Sequence, residues 1–156
     1  MSTTTVKPLS PIQQKLLKTI LKPASLMNTW VYRMSGGKIG GTFAGGAPVV
    51  LLTTTGRKSG QPRTAPLLYL EDNGNIIVVA SQGGMSTNPL WFRNLEAHPE
   101  VEIEIGKERR KARARRANEE EKAALWPKLT AMYGSFDLYQ ARTERNIPVV
   151  ILSPTD

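Results

Sequence analysis

Leu51-Leu52-Thr53-Thr54-Thr55-Gly56-Arg57-Lys58-Ser59-Gly60-Gln61-Pro62-Arg63-Thr64-Ala65-Pro66 is an apolar run that enters a glycine-bounded turn and returns. Gly56, Gly60 and Pro62 set where the backbone bends, so the stretch reads as strand, cationic turn and strand. The turn exposes Arg57 and Lys58, with Arg63 close behind, and the hydroxyls of Thr53 to Thr55 are expected to converge with these cations on one side. Donors arranged in this way suit a phosphate or carboxylate group. A solvated hairpin tip of the same composition is the alternative, and spacing does not separate the two.

Outward from the turn, Val49 to Thr54 reads as one strand, Arg63 to Glu71 as a second and Asn75 to Ser81 as a third. Asp72-Asn73-Gly74 supplies the tight turn between the last two, which gives an antiparallel meander. Ile76-Ile77-Val78-Val79-Ala80 is apolar on both faces and suits the central wall of a closed or two-sided sheet. Ser81-Gln82-Gly83-Gly84 ends it at a flexible rim. Asn88-Pro89 then opens a helix carrying Leu90, Trp91, Phe92 and Leu95.

Val101, Ile103 and Ile105 alternate with Glu102 and Glu104, a half-buried strand with an acidic outer face. In the basic run that follows, Arg109, Lys111, Arg113 and Arg115 share one face by the two-residue period. Set antiparallel to its neighbour, that face lies opposite Glu102 and Glu104, a normal device of solvated sheets. Contact with an acidic ligand or membrane surface is the other role open to it. No zinc finger, aromatic RNA-binding strand or recognition helix accompanies the run, so nucleic acid is not expected as a partner. Asn118 to Glu121 forms a capping box that opens a helix to about Met132. Tyr133 to Tyr139 kinks into another short helix, and Ile147 to Leu152 is a final strand.

At the other end, Met1 to Ser10 is Ser/Thr-rich and expected to be loose. Ser10-Pro11 opens a helix in which Ile12, Leu16, Leu17, Ile20 and Leu21 recur at helical spacing, with Lys15, Lys18 and Lys22 between them. Such a face packs on its own domain, on a second subunit in a homodimer, or on an anionic membrane. Pro23 is expected to interrupt it, with a second segment from Ala24 to Met34. Ser35 to Pro48 holds six glycines and reads as a mobile connection. It does not match the spaced-glycine dinucleotide motif, because no strand precedes it and no helix follows.

The chain has 156 residues, 40% of them hydrophobic and 22% charged, which suits one ordinary globular domain. Its net charge of +8 and pI near 10.0 favour acidic partners. There is no cysteine, so thiol redox chemistry and iron–sulfur ligation are excluded and any redox chemistry needs a borrowed cofactor. A single histidine, His98, at a helix end makes a zinc site implausible, and no metal is expected. No apolar stretch is long enough to span a bilayer and no signal-peptide core stands at the N-terminus, so a cytoplasmic location is expected.

These features together resemble the deazaflavin (coenzyme F420)-dependent nitroreductase and quinone reductase family of actinobacteria. The resemblance covers roughly Asn28 to Pro154. It is carried by Asn28-Thr29-Trp30, Gly40-Gly41-Thr42-Phe43, Leu51 to Arg63, Ala80-Ser81, Gly83-Gly84, Asn88-Pro89 with Trp91, Trp126-Pro127, Met132-Tyr133 and Ile147-Pro148. It implies an α+β fold, a split β-barrel like that of the FMN-binding oxidases with N-terminal and C-terminal helices packed on it. Residues 1–34 would form a tail and amphipathic segment, and residues 35–156 the barrel that binds reduced coenzyme F420.

The implied activity is hydride transfer from that coenzyme to a menaquinone-like quinone or a nitro-heteroaromatic compound. A split-barrel reductase using flavin mononucleotide, and a non-catalytic binder of deazaflavin or anionic lipid, are the competing readings. The resemblance assigns Arg57, Lys58, Arg63, Thr55, Ala80, Ser81 and Trp91 to the coenzyme, Ser81 and Tyr133 to catalysis, and Leu68, Phe136 and Tyr139 to the second substrate. Leu68 and Phe136 stand where the best-known nitroreductase pattern has tyrosines, which leaves a more apolar pocket. A lipid-soluble quinone would bring the basic N-terminal helix to the inner face of the cell membrane.

Overall fold

The sheet closes because one segment of chain serves two partners in succession. In the computed structural model, which describes residues 6–38, 41–43 and 46–156, strand β2 (Ala47–Thr55) pairs antiparallel with β3 (Pro62–Leu68) in the register Val49 to Leu68 and Thr55 to Pro62. Beyond Leu68 the segment changes partner. Tyr69 N–H donates to the Pro48 carbonyl at 3.1 Å, and β4 (Leu70–Asp72) pairs with β5 (Asn75–Val79). The expected single strand Arg63 to Glu71 is therefore two strands, because closure requires its two ends to hydrogen-bond different neighbours.

From β5 the ladder continues to β8 (Val149–Pro154), β7 (Glu108–Arg116) and β6 (Glu100–Ile105), and β6 returns to the free edge of β2. A short β1 (Thr42–Phe43) lies on the edge beside Ala47 and Pro48. The expected looseness of residues 1–5, and of 39–40 and 44–45 in the glycine-rich connection, lies outside the described residues, as do the side chains of residues 20–28 and 43.

Both faces of β5 are used. Ile76 and Val78 point inward with Val50, Leu52, Ile103 and Leu152, and the interior is plugged by Phe92 and Leu95 of α2 (Leu90–Ala97). Ile77 and Val79 point outward against Leu125 and Leu129 of α3 (Glu119–Met132) and Phe136 of α4 (Ser135–Arg142). Each such fully buried aliphatic side chain contributes about 1.5–3 kcal/mol, which is why a strand apolar on both faces needs cover on both.

The cationic face of β7 is paired as its period requires. Glu104 stands opposite Arg109 and bonds it at 2.8 Å, Glu100 stands opposite Arg113 at 2.8 Å, and Glu102 stands opposite Lys111. Arg115 reaches Glu121 through both guanidinium ends at 2.7 Å. The same Glu121 completes the capping box with Asn118. The Arg115 hydrogen bonds, helped by the Asn118 backbone N–H, hold the Glu121 carboxyl at about 2.

A single helix, α1 (Pro11–Ser35), replaces the two expected segments. Its capping box joins Ser10 and Gln13, and it runs through Pro23 to a left-handed cap at Gly36. Proline removes one donor from the ladder and strains one turn; here the turns on either side carry the helix across it. Its last turns are fastened to the barrel. Tyr32 is 1% exposed, accepts a hydrogen bond from Gly106 N–H at 2.7 Å and reaches the carbonyls of Val49 and Glu104 at 3.3 Å. Arg33 joins Glu104 at 3.0 Å.

Its opposite side carries Ile12, Leu16, Trp30 and Met34, 58–74% exposed, and these positions fall on one stripe at 3.6 residues per turn. Polar contacts hold the first turns, through Gln14 to Ser86 and Lys18 to Thr87. Among the described residues no helix is long and apolar enough to cross a membrane.

Tyr32→Phe removes the acceptor of the Gly106 N–H while keeping the ring. It is expected to lower unfolding free energy by about 1–3 kcal/mol, read from the midpoint of a urea titration. A midpoint equal to that of the parent chain would show that the hydroxyl does not fasten α1.

Candidate functional site

The cationic turn is fixed from below by one buried carboxamide. Asn94, 7% exposed on α2, donates through Nδ2 to Thr54 Oγ1 at 3.2 Å and accepts the Arg57 backbone N–H at 3.1 Å. Gly56 N–H bonds the Gln61 carbonyl and Gly60 N–H bonds the Gly56 carbonyl, both at 2.8 Å. A Cβ at Gly56 would stand 2.6 Å from Ser59 Oγ and 3.2 Å from the Gln61 carbonyl, so a side chain there would displace Ser59. These bonds hold the turn backbone and leave its side chains outward.

Arg57, Lys58 and Arg63 are exposed and form no ion pair among the described residues. On β7, by contrast, Arg109, Arg110, Arg113 and Arg115 all face carboxylates. Three unpaired cations on a rigid backbone have the donor chemistry for a phosphate and a carboxylate tail.

The three threonines do not converge with them as expected. Strand alternation sends Thr54 inward to Asn94, while Thr53 and Thr55 share the outer face with Val49 and Leu51. Thr53 is taken up by Thr64 at 2.8 Å. Thr55 therefore stands on the opposite face of the hairpin from Arg63, whose strand partner is Thr54.

The second part of the site is the rim after β5. Ala80 is fully buried in the barrel, so only its backbone reaches the rim. The Ser81 hydroxyl has no hydrogen-bond partner among the described residues. The following turn, Gln82–Gly84, packs against the backbone of α4, and a Cβ at Gly84 would stand 2.7 Å from the Tyr139 carbonyl.

Around it lies an aromatic cluster. Tyr133 and Tyr139 hydroxyls are 3.0 Å apart, and the rings of Tyr133 and Phe136 meet edge to face at 5.0 Å. Burial first, then the hydrogen bond and charge of Tyr133, push the Tyr139 hydroxyl up to about 12, against the lowering effect of Arg142. Tyr139 is thus protonated throughout the neutral range. Leu68 packs against the same cluster and against Tyr32 and Leu51. Phe136 is 4% exposed and supports this wall from within.

Helix α2 spans the two parts. Asn94 holds the turn, Asn88 just before the helix is bonded by Arg145 of the rim assembly, and Trp91 lies half-buried between them, edge to face with Phe92. Asn88 was expected to open the helix, but Pro89 occupies the cap position and the Asn88 carboxamide is spent on Arg145. Two cavities, about 140 Å³ beside Tyr69 and about 270 Å³ beside Arg33 and Glu104, lie elsewhere on the barrel. The second is already satisfied by the Arg33–Glu104–Arg109 ion pairs.

Sequence reasoning missed Asn94 and Arg145. Asn94 had a signal, a polar residue between the buried Phe92 and Leu95. Arg145 had none, since Thr143-Glu144-Arg145-Asn146 reads as an ordinary polar loop.

A split β-barrel with an exposed cationic turn and a hydroxyl-bearing rim beside aromatic side chains suits the class of oxidoreductases that borrow a flavin-like cofactor, and a solved F420-H2-dependent reductase shares the fold. Within that class the chain belongs to the F420H(2)-dependent quinone reductases, whose family model matches residues 25–154. It is 47% identical over 117 residues to Rv3178 of Mycobacterium tuberculosis, a protein named among the F420H(2)-dependent quinone reductases, covering 75% of this chain and 98% of that one. The solved F420-H2-dependent reductase FDR-A is 39% identical, with a TM-score of 0.64 over 68% of this chain and 94% of that one. A second solved chain, described as a domain-swapped dimer, is 34% identical, with a TM-score of 0.66 over 85% of this chain and all of the other.

Asn94→Ala is expected to cost about 1–3 kcal/mol in chemical denaturation, since it strips the Arg57 N–H and the Thr54 hydroxyl of a partner. Hydrogen exchange should quicken at Arg57 before it quickens in β2. Unchanged exchange at Arg57 would mean that the turn holds itself.

Proposed function

We propose that this chain transfers a hydride from reduced coenzyme F420 to a menaquinone-like quinone. The observation that carries the reading is the rigid turn with three unpaired cations beside a rim whose serine hydroxyl is free. Arg57, Lys58 and Arg63 would hold the phosphate and acidic tail, and Trp91 and the Ala80–Ser81 backbone would line the ring system. The bound deazaflavin supplies the hydride. Ser81 donates a hydrogen bond to the accepting oxygen and so stabilises the charge that develops there. Tyr133 and Tyr139 close over the second substrate, and the Tyr139 hydroxyl keeps a proton at hand. Leu68 and Phe136 make the wall apolar, which suits a quinone ring and disfavours an acceptor that needs two further hydroxyls.

Family membership favours this reading over a flavin mononucleotide enzyme and over a non-catalytic carrier. The direct test is reoxidation of the reduced coenzyme by menadione. Arg57→Ala and Lys58→Ala should each weaken coenzyme binding about tenfold, the lower end for a charge-assisted contact at an exposed site. Ser81→Ala should lower kcat about 10²-fold and leave coenzyme affinity unchanged. No rate above the protein-free control would sink the activity, and equal affinity in all three variants would sink the turn assignment.

The same reading extends to a membrane surface as the source of quinone. Supporting it are the exposed stripe of Ile12, Leu16, Trp30 and Met34, the flanking Lys15 and Lys18, and the net charge of +8. The chain should pellet with phosphatidylglycerol vesicles and not with phosphatidylcholine vesicles, and Ile12→Ser with Leu16→Ser should abolish it. Failure of the parent chain to pellet with either would end the proposal.

A further inference from the structure

Directly after Ser81 the backbone enters an unfavourable conformation: Gln82, Gly83 and Gly84 have φ of 45°, 63° and 79°. A left-handed run that begins on a residue with a Cβ does not persist unless its surroundings impose it. Within the turn the short-range bonds are Gly84 N–H to the Ser81 carbonyl at 2.9 Å, Met85 N–H to the Gln82 carbonyl at 3.1 Å and Gln82 Nε2 to Met85 Sδ at 3.2 Å.

From α4, Arg142 Nη1 reaches the Gly83 carbonyl at 3.4 Å, and the main hold comes from Arg145, more than sixty residues along the chain. Its Nη2 donates to the Ser81 carbonyl at 2.7 Å, Nη1 to the Ala80 carbonyl at 3.2 Å and to Asn88 Oδ1 at 2.8 Å, and Nε to the Met85 carbonyl at 2.8 Å. Four N–H bonds thus grip both ends of the rim. The guanidinium has no carboxylate partner among the described residues. A half-buried cation without a counter-ion is unfavourable in itself, and its hydrogen bonds are all spent on shaping one loop. Arg145 is in turn anchored to α4, since its carbonyl accepts from Gln140 Nε2 at 2.8 Å, one residue beyond Tyr139.

We propose that Arg145 is the positioning residue of the site: its guanidinium fixes the Ser81 rim against the helix that carries Tyr139. Its guanidinium acts on the rim backbone and Asn88, and its role rests on the quinone reductase reading above. A lysine in its place keeps the charge but presents a single nitrogen to acceptors spread over residues 80 to 88. A simple stability role would make every property of the variant decline together; a positioning role separates them.

The test uses the full chain with Arg145→Ala and Arg145→Lys. Both should keep coenzyme affinity within about threefold, because the anchoring cations are on another loop. Arg145→Ala should lose about 10²-fold in kcat, the scale of an ångström-sized misplacement, and Arg145→Lys should fall between it and the parent. Added methylguanidinium should restore part of the turnover of Arg145→Ala and none of that of Ser81→Ala. Independently of turnover, amide exchange should quicken at residues 82–85 and stay unchanged in β2 and β8.

Parental kcat in Arg145→Ala, or equal losses of turnover, coenzyme affinity and exchange protection without rescue, would overturn the proposal. If Arg145→Ala does not fold, Asn88→Ala removes one of the four bonds and decides it: exchange at residues 82–85 quickens if the clamp is real and stays parental if not. A parent chain that never reoxidises the coenzyme would refute the quinone reductase reading, while the exchange data would still decide whether Arg145 holds the rim.

Discussion

The change of partner at Tyr69 is the constraint on which the remaining structure depends. Had Arg63 to Glu71 stayed on β2, β5 would have had a free edge and the sheet would have been open. By moving from β2 to β5 the segment closes the ring through β8, β7 and β6. Closure creates an interior that must be filled, and Phe92 and Leu95 of α2 fill it. Once α2 is held there by its apolar face, its polar residues Asn88 and Asn94 are delivered to the rim and to the turn. The site is thus assembled by a packing requirement, with each half tied to the plug by one carboxamide.

Electrostatics sorts the cations into two populations. The strand that is richest in arginine is the one least available to a ligand, because antiparallel register sets Arg109 and Arg113 against Glu104 and Glu100 and the helix cap supplies Glu121 to Arg115. The turn with three cations has no such partners among the described residues and is carried on a backbone fixed by Asn94. Density of charge in the sequence is therefore a poor guide to binding, and absence of a carboxylate across the strand is a better one. The same logic separates Arg33, committed to Glu104 and to anchoring α1, from Arg57.

Much of the fold could be read from periodicity. The strands around Asp72-Asn73-Gly74, the acidic and basic strands at 101–116, and the capping boxes at Ser10 and Asn118 announce themselves through local patterns. The break at Tyr69 does not, since nothing within Arg63 to Glu71 shows which neighbour each half will meet. The same holds for Pro23, whose local effect was outweighed by helix on both sides. For the site, the turn was legible as an anion binder or a plain hairpin, and only resemblance to a family separated them. The threonines show the limit of reading composition without alternation: Thr53, Thr54 and Thr55 are adjacent in sequence and necessarily on opposite faces. Asn94 and Arg145 act on backbone groups far away in the chain, and such partnerships leave no periodic trace.

The proposed site would lie between two loops, the cationic turn and the Ser81 rim. Hydride transfer needs two flat rings held face to face, and a rigid turn at one end with an aromatic wall at the other can do this without enclosing them. On the proposed reading, what must be rigid is the relative placement of the Arg57–Lys58 turn and the Ser81 hydroxyl that hydrogen-bonds the accepting oxygen. The turn achieves rigidity through Asn94 and its own backbone bonds, Gly56 to Gln61 and Gly60 to Gly56. The rim has less local support, because its left-handed run begins on Gln82, a residue with a Cβ for which that conformation is unfavourable. A side chain with many donors and no competing acidic partner is the physical solution to that problem, and half-buried Arg145, with four neutral acceptors and no acidic partner among the described residues, has that character.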